Sequence, residues 1–189
     1  MDVDACSDGE LVALVLAGRR QIFATLMKRH KEPIFRLVMG HVGNADDALD
    51  LVQESFVAAY RNLERYDDRR PFRPWLARIA INKCRDWARK RSVRQFFIRA
   101  LSLDSAGSVP DPAPTPEAKA EENEATTALW RLIAALPPAL KEPLLLCAID
   151  GLSHADAALA LGISPKAVET RLYRARARLA EALKASPLR

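Results

Sequence analysis

The 189-residue sequence has few residues of the kinds that form cross-links, bind metals or catalyse reactions. It contains three cysteines and three histidines. Cys6, Cys84 and Cys147 are far apart and lack metal-ligand spacing, so we expect no metal site and no disulfide framework. The sequence also lacks a glycine-rich phosphate loop and a recognisable pair of nucleophile and base. These absences argue against an enzyme and predict no cofactor.

Long apolar runs are missing too. The first ten residues are acidic where a secretory signal would be basic and then apolar, and no run approaches the roughly 20 apolar residues that cross a bilayer. Strand-like alternation is scarce, whereas apolar residues recur at intervals of three and four. We therefore expect an all-α, cytoplasmic protein that does not insert into membranes.

Four alternating prolines mark the clearest boundary in the chain. They lie in the segment 101–125, between Pro110 and Pro116, where they forbid a helix and favour an extended spacer. We predict two small helical domains, residues 1–100 and 126–189, joined by this Pro-rich acidic linker.

Charge is distributed in blocks along the chain. Residues 61–99 carry 13 basic and four acidic side chains, a net charge of +9, and residues 162–189 carry seven and two, a net charge of +5. Residues 100–128 carry one basic and six acidic side chains, a net charge of −5. Two basic modules therefore flank an acidic tether, which favours a polyanionic partner.

The stretch "GLSHADAALALGISPKAVETRLYRARARL", residues 151–179, has the capping residues of a helix-turn-helix. Ser153 fits a helix N-cap, Gly162 a helix end, and Pro165 the first position of a second helix. On that second helix one apolar stripe is expected to pack inward, formed by Val168, Leu172, Ala175, Leu179 and Leu183.

The opposite face of this second helix is polar and cationic. It presents Lys166, Thr170, Tyr173 and Arg174, with Arg171 and Arg178 on its flank. Such a face favours a helix that reads the major groove of DNA over a solvated hairpin. Lys166 and Thr170 lie where base edges are expected, whereas the arginines could equally serve phosphates.

The N-terminal half contains three further helix predictions. "SDGE" at 7–10 fits a capping box, and Gly43 followed by Asn44 indicates a helix end and a restart that runs to about Leu63. On the restarted helix the apolar face is predicted to comprise Leu49, Val52, Phe56, Tyr60 and Leu63. Asp47, Asp50 and Glu54 form an acidic stripe elsewhere on it, which is either solvated or faces a basic protein partner.

A helix from about Pro71 to Arg91 carries a cationic face. Arg78, Asn82, Arg85 and Arg89 align opposite an apolar arc of Phe72, Leu76, Ala80 and Trp87, which Lys83 interrupts. Together with the preceding loop "RYDDRRPF", this face offers phosphate contacts and surfaces for an unpaired base. We assign Trp75 and Trp87 to core packing.

Taken together, these motifs resemble an extracytoplasmic-function sigma factor, a two-domain member of the sigma-70 family. "DDALDLVQESFVAAYRNL" is similar to the core-polymerase-binding helix, "PFRPWLARIAINKCRDWARKR" to the promoter-melting and minus-10 helix, and residues 136–179 to the minus-35 domain. The resemblance implies bacterial core RNA polymerase, promoter DNA and an anti-sigma factor as partners. The alternative is an autonomous helix-turn-helix regulator with a sensor or dimerisation domain in residues 1–100.

The resemblance also implies a role for individual residues. Those expected to dock on the clamp helices of the polymerase beta-prime subunit are Asp47, Asp50, Gln53 and Glu54. Those expected at the separated minus-10 strand are Arg69, Arg70, Arg73, Arg78, Asn82, Arg85 and Arg89. Those expected at minus 35 are Ser164, Lys166, Ala167, Thr170, Arg171, Tyr173, Arg174 and Arg178.

Overall fold

The computed structural model describes residues 3–102 and 122–185, and its regular structure there is entirely helical, which confirms the all-α prediction. The eight α-helices are α1 (Asp8–Leu16), α2 (Phe23–Val42), α3 (Ala45–Arg61), α4 (Phe72–Ser102), α5 (Glu122–Ala135), α6 (Pro138–Leu144), α7 (His154–Leu161) and α8 (Pro165–Ala185). A π-helical turn, Leu145–Ile149, continues α6. Within the described ranges no helix is both long and apolar enough to cross a membrane.

Local capping determines where the N-terminal helices begin. The Ser7 hydroxyl accepts the Glu10 backbone N–H at 3.3 Å, and the Glu10 carboxylate accepts the Ser7 N–H at 2.7 Å, so the predicted capping box is confirmed. Gly43 ends α2 with a φ of +72°. Asn44 then caps α3 by accepting the N–H groups of Asp46 and Asp47 at 2.9 and 3.1 Å.

Two helices overlap the predicted linker. The helix expected to end near Arg91 runs on to Ser102, and α5 begins at Glu122 rather than after residue 125. Both extensions consist mainly of residues other than glycine and proline, which can continue a helix wherever no breaker intervenes. The rest of the linker, including all four of its prolines, lies outside the described residues.

Helices α1–α4 enclose one apolar core. On α3 the expected face was partly wrong, because Leu49 is 46% exposed and Tyr60 39% exposed. The buried face is rotated by one position, so that Ala48, Leu51 and Ala59 point inward beside Val52 and Phe56. Tyr60 still contributes at the margin, since its ring packs edge-on against Phe23 with centroids 5.1 Å apart.

Helices α5–α8 and the π-helical turn form a second packed group. Leu145, Leu146, Val168, Leu172 and Ala175 are all buried, as the inward stripe on α8 predicts for the last three. Leu179 is half-buried against the core. Leu183, assigned to the same stripe, is 40% exposed near the end of α8.

The two helical groups contact one another directly. Helix α4 packs beside α7, and α2 packs beside α5 and the π-helical turn. Gly40 of α2 meets Leu145, and a Cβ on that glycine would lie 2.2 Å from the leucine Cδ2. Only a glycine permits this approach without rearrangement.

Candidate nucleic-acid and protein interfaces

The predicted helix-turn-helix is present and its capping is confirmed. The Ser153 hydroxyl accepts the Asp156 N–H at 3.0 Å at the start of α7. Gly162 ends α7 with a φ of +68°, in the left-handed region that favours glycine. The Ser164 hydroxyl accepts the Ala167 N–H at 3.2 Å, which caps α8. Short side chains and one glycine therefore orient α8 as an exposed second helix.

The outward face of α8 carries the polar side chains expected from the sequence. Tyr173 is 75% exposed, and Arg174 and Arg178 are also exposed. Lys166 is paired with Glu169 at 2.8 Å, and this hydrogen bond lowers the pKa of the Glu169 carboxyl. This ion pair is exposed and therefore weak, so Lys166 can exchange Glu169 for another anion.

Other members of the α8 set are held by local contacts. The Thr170 hydroxyl donates to the Lys166 carbonyl at 3.0 Å, a common arrangement for threonine inside a helix. Ala167 and Arg171 are half-buried on the flank, and Ser164 acts as the cap. Tyr173 and Arg174 thus lie at the centre of the exposed outward face of α8.

The seven residues proposed for the minus-10 strand fall into different environments. Arg78 and Asn82 are exposed on α4, and Arg89 is paired with Asp86 at 3.0 Å. In the loop before α4, Arg69 and Arg70 lie 3.8 and 3.4 Å from Asp67. Surface pairs of this kind are weak and exchange readily for another anion.

The remaining two, Arg73 and Arg85, contact the C-terminal helices. Arg85 forms a two-pronged ion pair with Glu142 of α6, at 2.7 Å from Nε and 2.6 Å from Nη2. Glu142 raises the pKa of the Arg85 guanidinium through this hydrogen bond. Arg73 binds the carboxylate and the backbone carbonyl of Asp150. The aligned α4 face is therefore not uniformly free in this conformation.

The acidic stripe on α3 borders a groove. Its lining comprises Asp50, Gln53, Glu54, Val57, Arg61 and Lys83. The Lys83 ammonium lies 3.1 Å from the Glu54 carboxylate, so the lysine that interrupted the apolar arc of α4 bridges to α3. Asp47 is 3.9 Å from Arg91, and Asp50 is exposed.

Sequence patterning missed the apolar part of this surface. Val57 is 49% exposed within the groove, and Leu49 is exposed on the same helix. Both residues fall off the inward face once the α3 core is placed on Ala48, Val52 and Phe56, a choice that periodicity alone left open. The groove therefore combines an exposed apolar side chain with acidic and basic ones.

The two tryptophans pack as expected. Trp75 lies against Tyr66 and Phe72, with centroid distances of 5.4 Å to each ring. Trp87 is half-buried, and the Arg91 guanidinium lies 5.3 Å from its ring centre. Their ring faces are therefore largely engaged within the domain, although both retain some exposed surface.

Comparison with known proteins identifies the two helical groups. Residues 26–94 match the family model for sigma-70 region 2, and residues 126–179 match that for sigma-70 region 4. The chain is 35% identical to RNA polymerase sigma factor NccH of Alcaligenes xylosoxydans xylosoxydans over 97% of its own length and 98% of the relative's. It is 31% identical to an extracytoplasmic-function RNA polymerase sigma-E factor of Salmonella typhimurium, over 90% and 91%.

The chain belongs to the extracytoplasmic-function group of the sigma-70 family.

A solved structure supports the same assignment. The fold matches that of CnrH in complex with the cytosolic domain of CnrY, with 31% identity, a TM-score of 0.72, and coverage of 96% of this chain and 99% of the other. Sigma factors are non-enzymatic initiation factors that bind core RNA polymerase and promoter DNA. The autonomous-regulator alternative is therefore excluded, because the N-terminal half is region 2 rather than a sensor domain.

Proposed function

We propose that this sigma factor docks on the polymerase beta-prime clamp helices through α3, holds the separated minus-10 strand with the loop before α4 and the α4 face, and reads minus 35 with α8. The working units are the three segments predicted above, 1–100, 101–125 and 126–189, and the site of action is the cytoplasm. Two weak DNA-binding modules on one chain gain affinity from effective concentration once polymerase holds both.

The α3 groove is the observation that carries this proposal. Asp50, Gln53 and Glu54 line it together with the exposed apolar side chain of Val57. Arg61 and Lys83 also line it, and Lys83 pairs with Glu54 at 3.1 Å, so the groove offers apolar surface beside charges of both signs. Such a surface suits an amphipathic helical partner.

Run-off transcription with purified core polymerase and a promoter library tests the function. We expect transcripts that depend on this protein, together with feeble binding to duplex promoter DNA when polymerase is left out. Tight polymerase-free duplex binding without any transcript would contradict the proposal.

A double substitution tests the docking surface. Asp50→Ala with Glu54→Ala should weaken core-polymerase binding at least tenfold while leaving the helical circular dichroism unchanged, because both side chains are exposed. The matched control is Glu32→Ala with Glu181→Ala, which removes the same number of exposed carboxylates at positions outside the groove; Glu32 pairs with the half-buried Arg36 at 3.3 Å. Equal loss in the control would show that net charge, rather than the groove, governs binding.

An anti-sigma partner is the last part of the proposal. The support is similarity to CnrH, which is described in complex with the cytosolic domain of CnrY. Co-expression of a candidate from the neighbouring gene should abolish run-off transcription and give a stable one-to-one complex. A candidate that leaves transcription unchanged is not the inhibitor.

A further inference from the structure

We propose that the free chain is held closed by two carboxylates of region 4, Glu142 and Asp150, which occupy arginines of the minus-10 face, so that closure and minus-10 binding exclude one another. The inference rests on the proposed role of Arg73 and Arg85 at the minus-10 strand. Each of these arginines then has two alternative anionic partners, the nucleic-acid backbone and a carboxylate of its own chain.

The two ion pairs are built into the contact between the regions. Glu142 and Asp150 have side chains that are only 3% and 1% exposed, whereas their partners Arg85 and Arg73 are 49% and 32% exposed. A buried carboxylate that loses its cation is strongly unfavourable. Each acid therefore depends on its arginine, while each arginine could find another anion in solvent.

The donor geometry explains why DNA would compete. Arg85 uses both Nε and Nη2 on Glu142, at 2.7 and 2.6 Å, and this is the edge that binds a phosphate in a two-pronged manner. Arg73 likewise commits Nε and Nη2 to Asp150. Neither guanidinium can present the same edge to a nucleic-acid backbone until region 4 moves away.

Contacts that involve neither arginine show that the closed arrangement is fitted. The Lys141 ammonium donates to the His41 carbonyl at 3.2 Å and to the Ala134 carbonyl at 2.6 Å, which ties α6 to the end of α2. Leu145 is fully buried and lies against Gly40, where no larger residue fits without displacement. The ion pairs thus act within a packed interface rather than as stray surface contacts.

The closed chain would keep only part of its minus-10 surface. Arg78 and Asn82 remain exposed on α4. We therefore expect closure to weaken binding to a single-stranded minus-10 oligonucleotide rather than to abolish it. Replacing the two acids by amides should remove the competition and leave every DNA-binding side chain in place.

The test uses the full chain without polymerase. It compares one double variant, which carries both Glu142→Gln and Asp150→Asn, with the unaltered protein. We expect a larger radius of gyration in small-angle X-ray scattering and at least tenfold tighter binding to the oligonucleotide. The control variant, Glu32→Gln with Glu181→Gln, removes the same charge at exposed positions in the two regions and should change neither readout.

An unchanged radius of gyration in the amide variant would overturn the latch. An opened chain with no gain in oligonucleotide binding would overturn the competition, and normal run-off transcription by Arg85→Ala would then place the fault in the minus-10 assignment. Because buried amides can impair folding, the charge swap Arg85→Glu with Glu142→Arg provides a second measurement. It should restore the compact radius while leaving oligonucleotide binding low, and a swap that stays open would count against the ion pair.

Discussion

His41 makes the contact between the two regions sensitive to acid. Its Nε2 atom is shielded from solvent and has no hydrogen-bond partner within the described residues, although other atoms of the residue reach the surface. Burial, followed by the positive charges of Lys141 on α6 and Arg85 on α4, lowers the pKa of this imidazole to about 3. Separation of the regions removes Lys141 and admits water, so we expect the pKa to return toward its ordinary value of 6.5.

The sign of the effect follows from proton binding. Above pH 6.5 the imidazole is neutral in both states, and closure has its full strength. As the pH falls from 6.5 toward 3, the open chain binds a proton that the closed chain cannot, so closure weakens. At pH 5.5 the ratio of open to closed chains is therefore about tenfold higher than at neutral pH, which corresponds to about 1.4 kcal/mol. This figure is insensitive to the exact pKa of the closed form, which lies well below 5.5.

Small-angle X-ray scattering at several pH values measures this opening. The ratio of closed to open chains should fall about tenfold between pH 7.5 and 5.5. The His41→Gln variant keeps a polar side chain without the titration, and its remaining pH dependence reports all other groups. An equal fall in this ratio in both proteins would refute the role of His41.

Three further changes have expected outcomes. Asn44→Ala removes two N-cap hydrogen bonds and should lower the free energy of unfolding by about 1 kcal/mol in urea denaturation, whereas Asn44→Ser should retain most of it. Gly162→Ala has space around its Cβ but a φ of +68°, so it should cost about 1 kcal/mol and lower the melting temperature. Tyr173→Ala, at a 75% exposed position, should leave unfolding within about 0.5 kcal/mol while weakening minus-35 duplex binding by the holoenzyme.

Capping residues were predictable because their interactions are local. Ser7, Asn44, Ser153 and Gly162 each act within four residues of their own position, so the sequence string contains both partners. The inward face of α3 was less predictable. Periodicity alone did not determine whether Leu49 or Ala48 faces the core, since that choice depends on the angle at which α2 and α4 approach.

Charged side chains were the hardest to assign, because their partners are remote in sequence. Lys83 interrupts the apolar arc of α4 because its ammonium pairs with Glu54, which lies 29 residues earlier in the sequence and 3.1 Å away in the structure. The same holds for Arg85 and Glu142, which are 57 residues apart. A cationic helix face in a basic protein points to nucleic acid on composition alone, and composition carries no signal that one of the cations is already engaged.

A local signal for the contact between regions does exist, on the acidic side of it. Glu142 and Asp150 flank the segment "PLLLCAI". A carboxylate buried beside such an apolar segment is unfavourable unless a cation pairs with it. Such a residue predicts a buried ion pair, but the sequence does not show which of the 29 lysines and arginines is its partner. In the structure the partners are Arg73 and Arg85, and both belong to the set that the resemblance assigns to promoter DNA. An arginine whose anion can be either a buried carboxylate or a phosphate is suited to report which of two conformations the chain adopts.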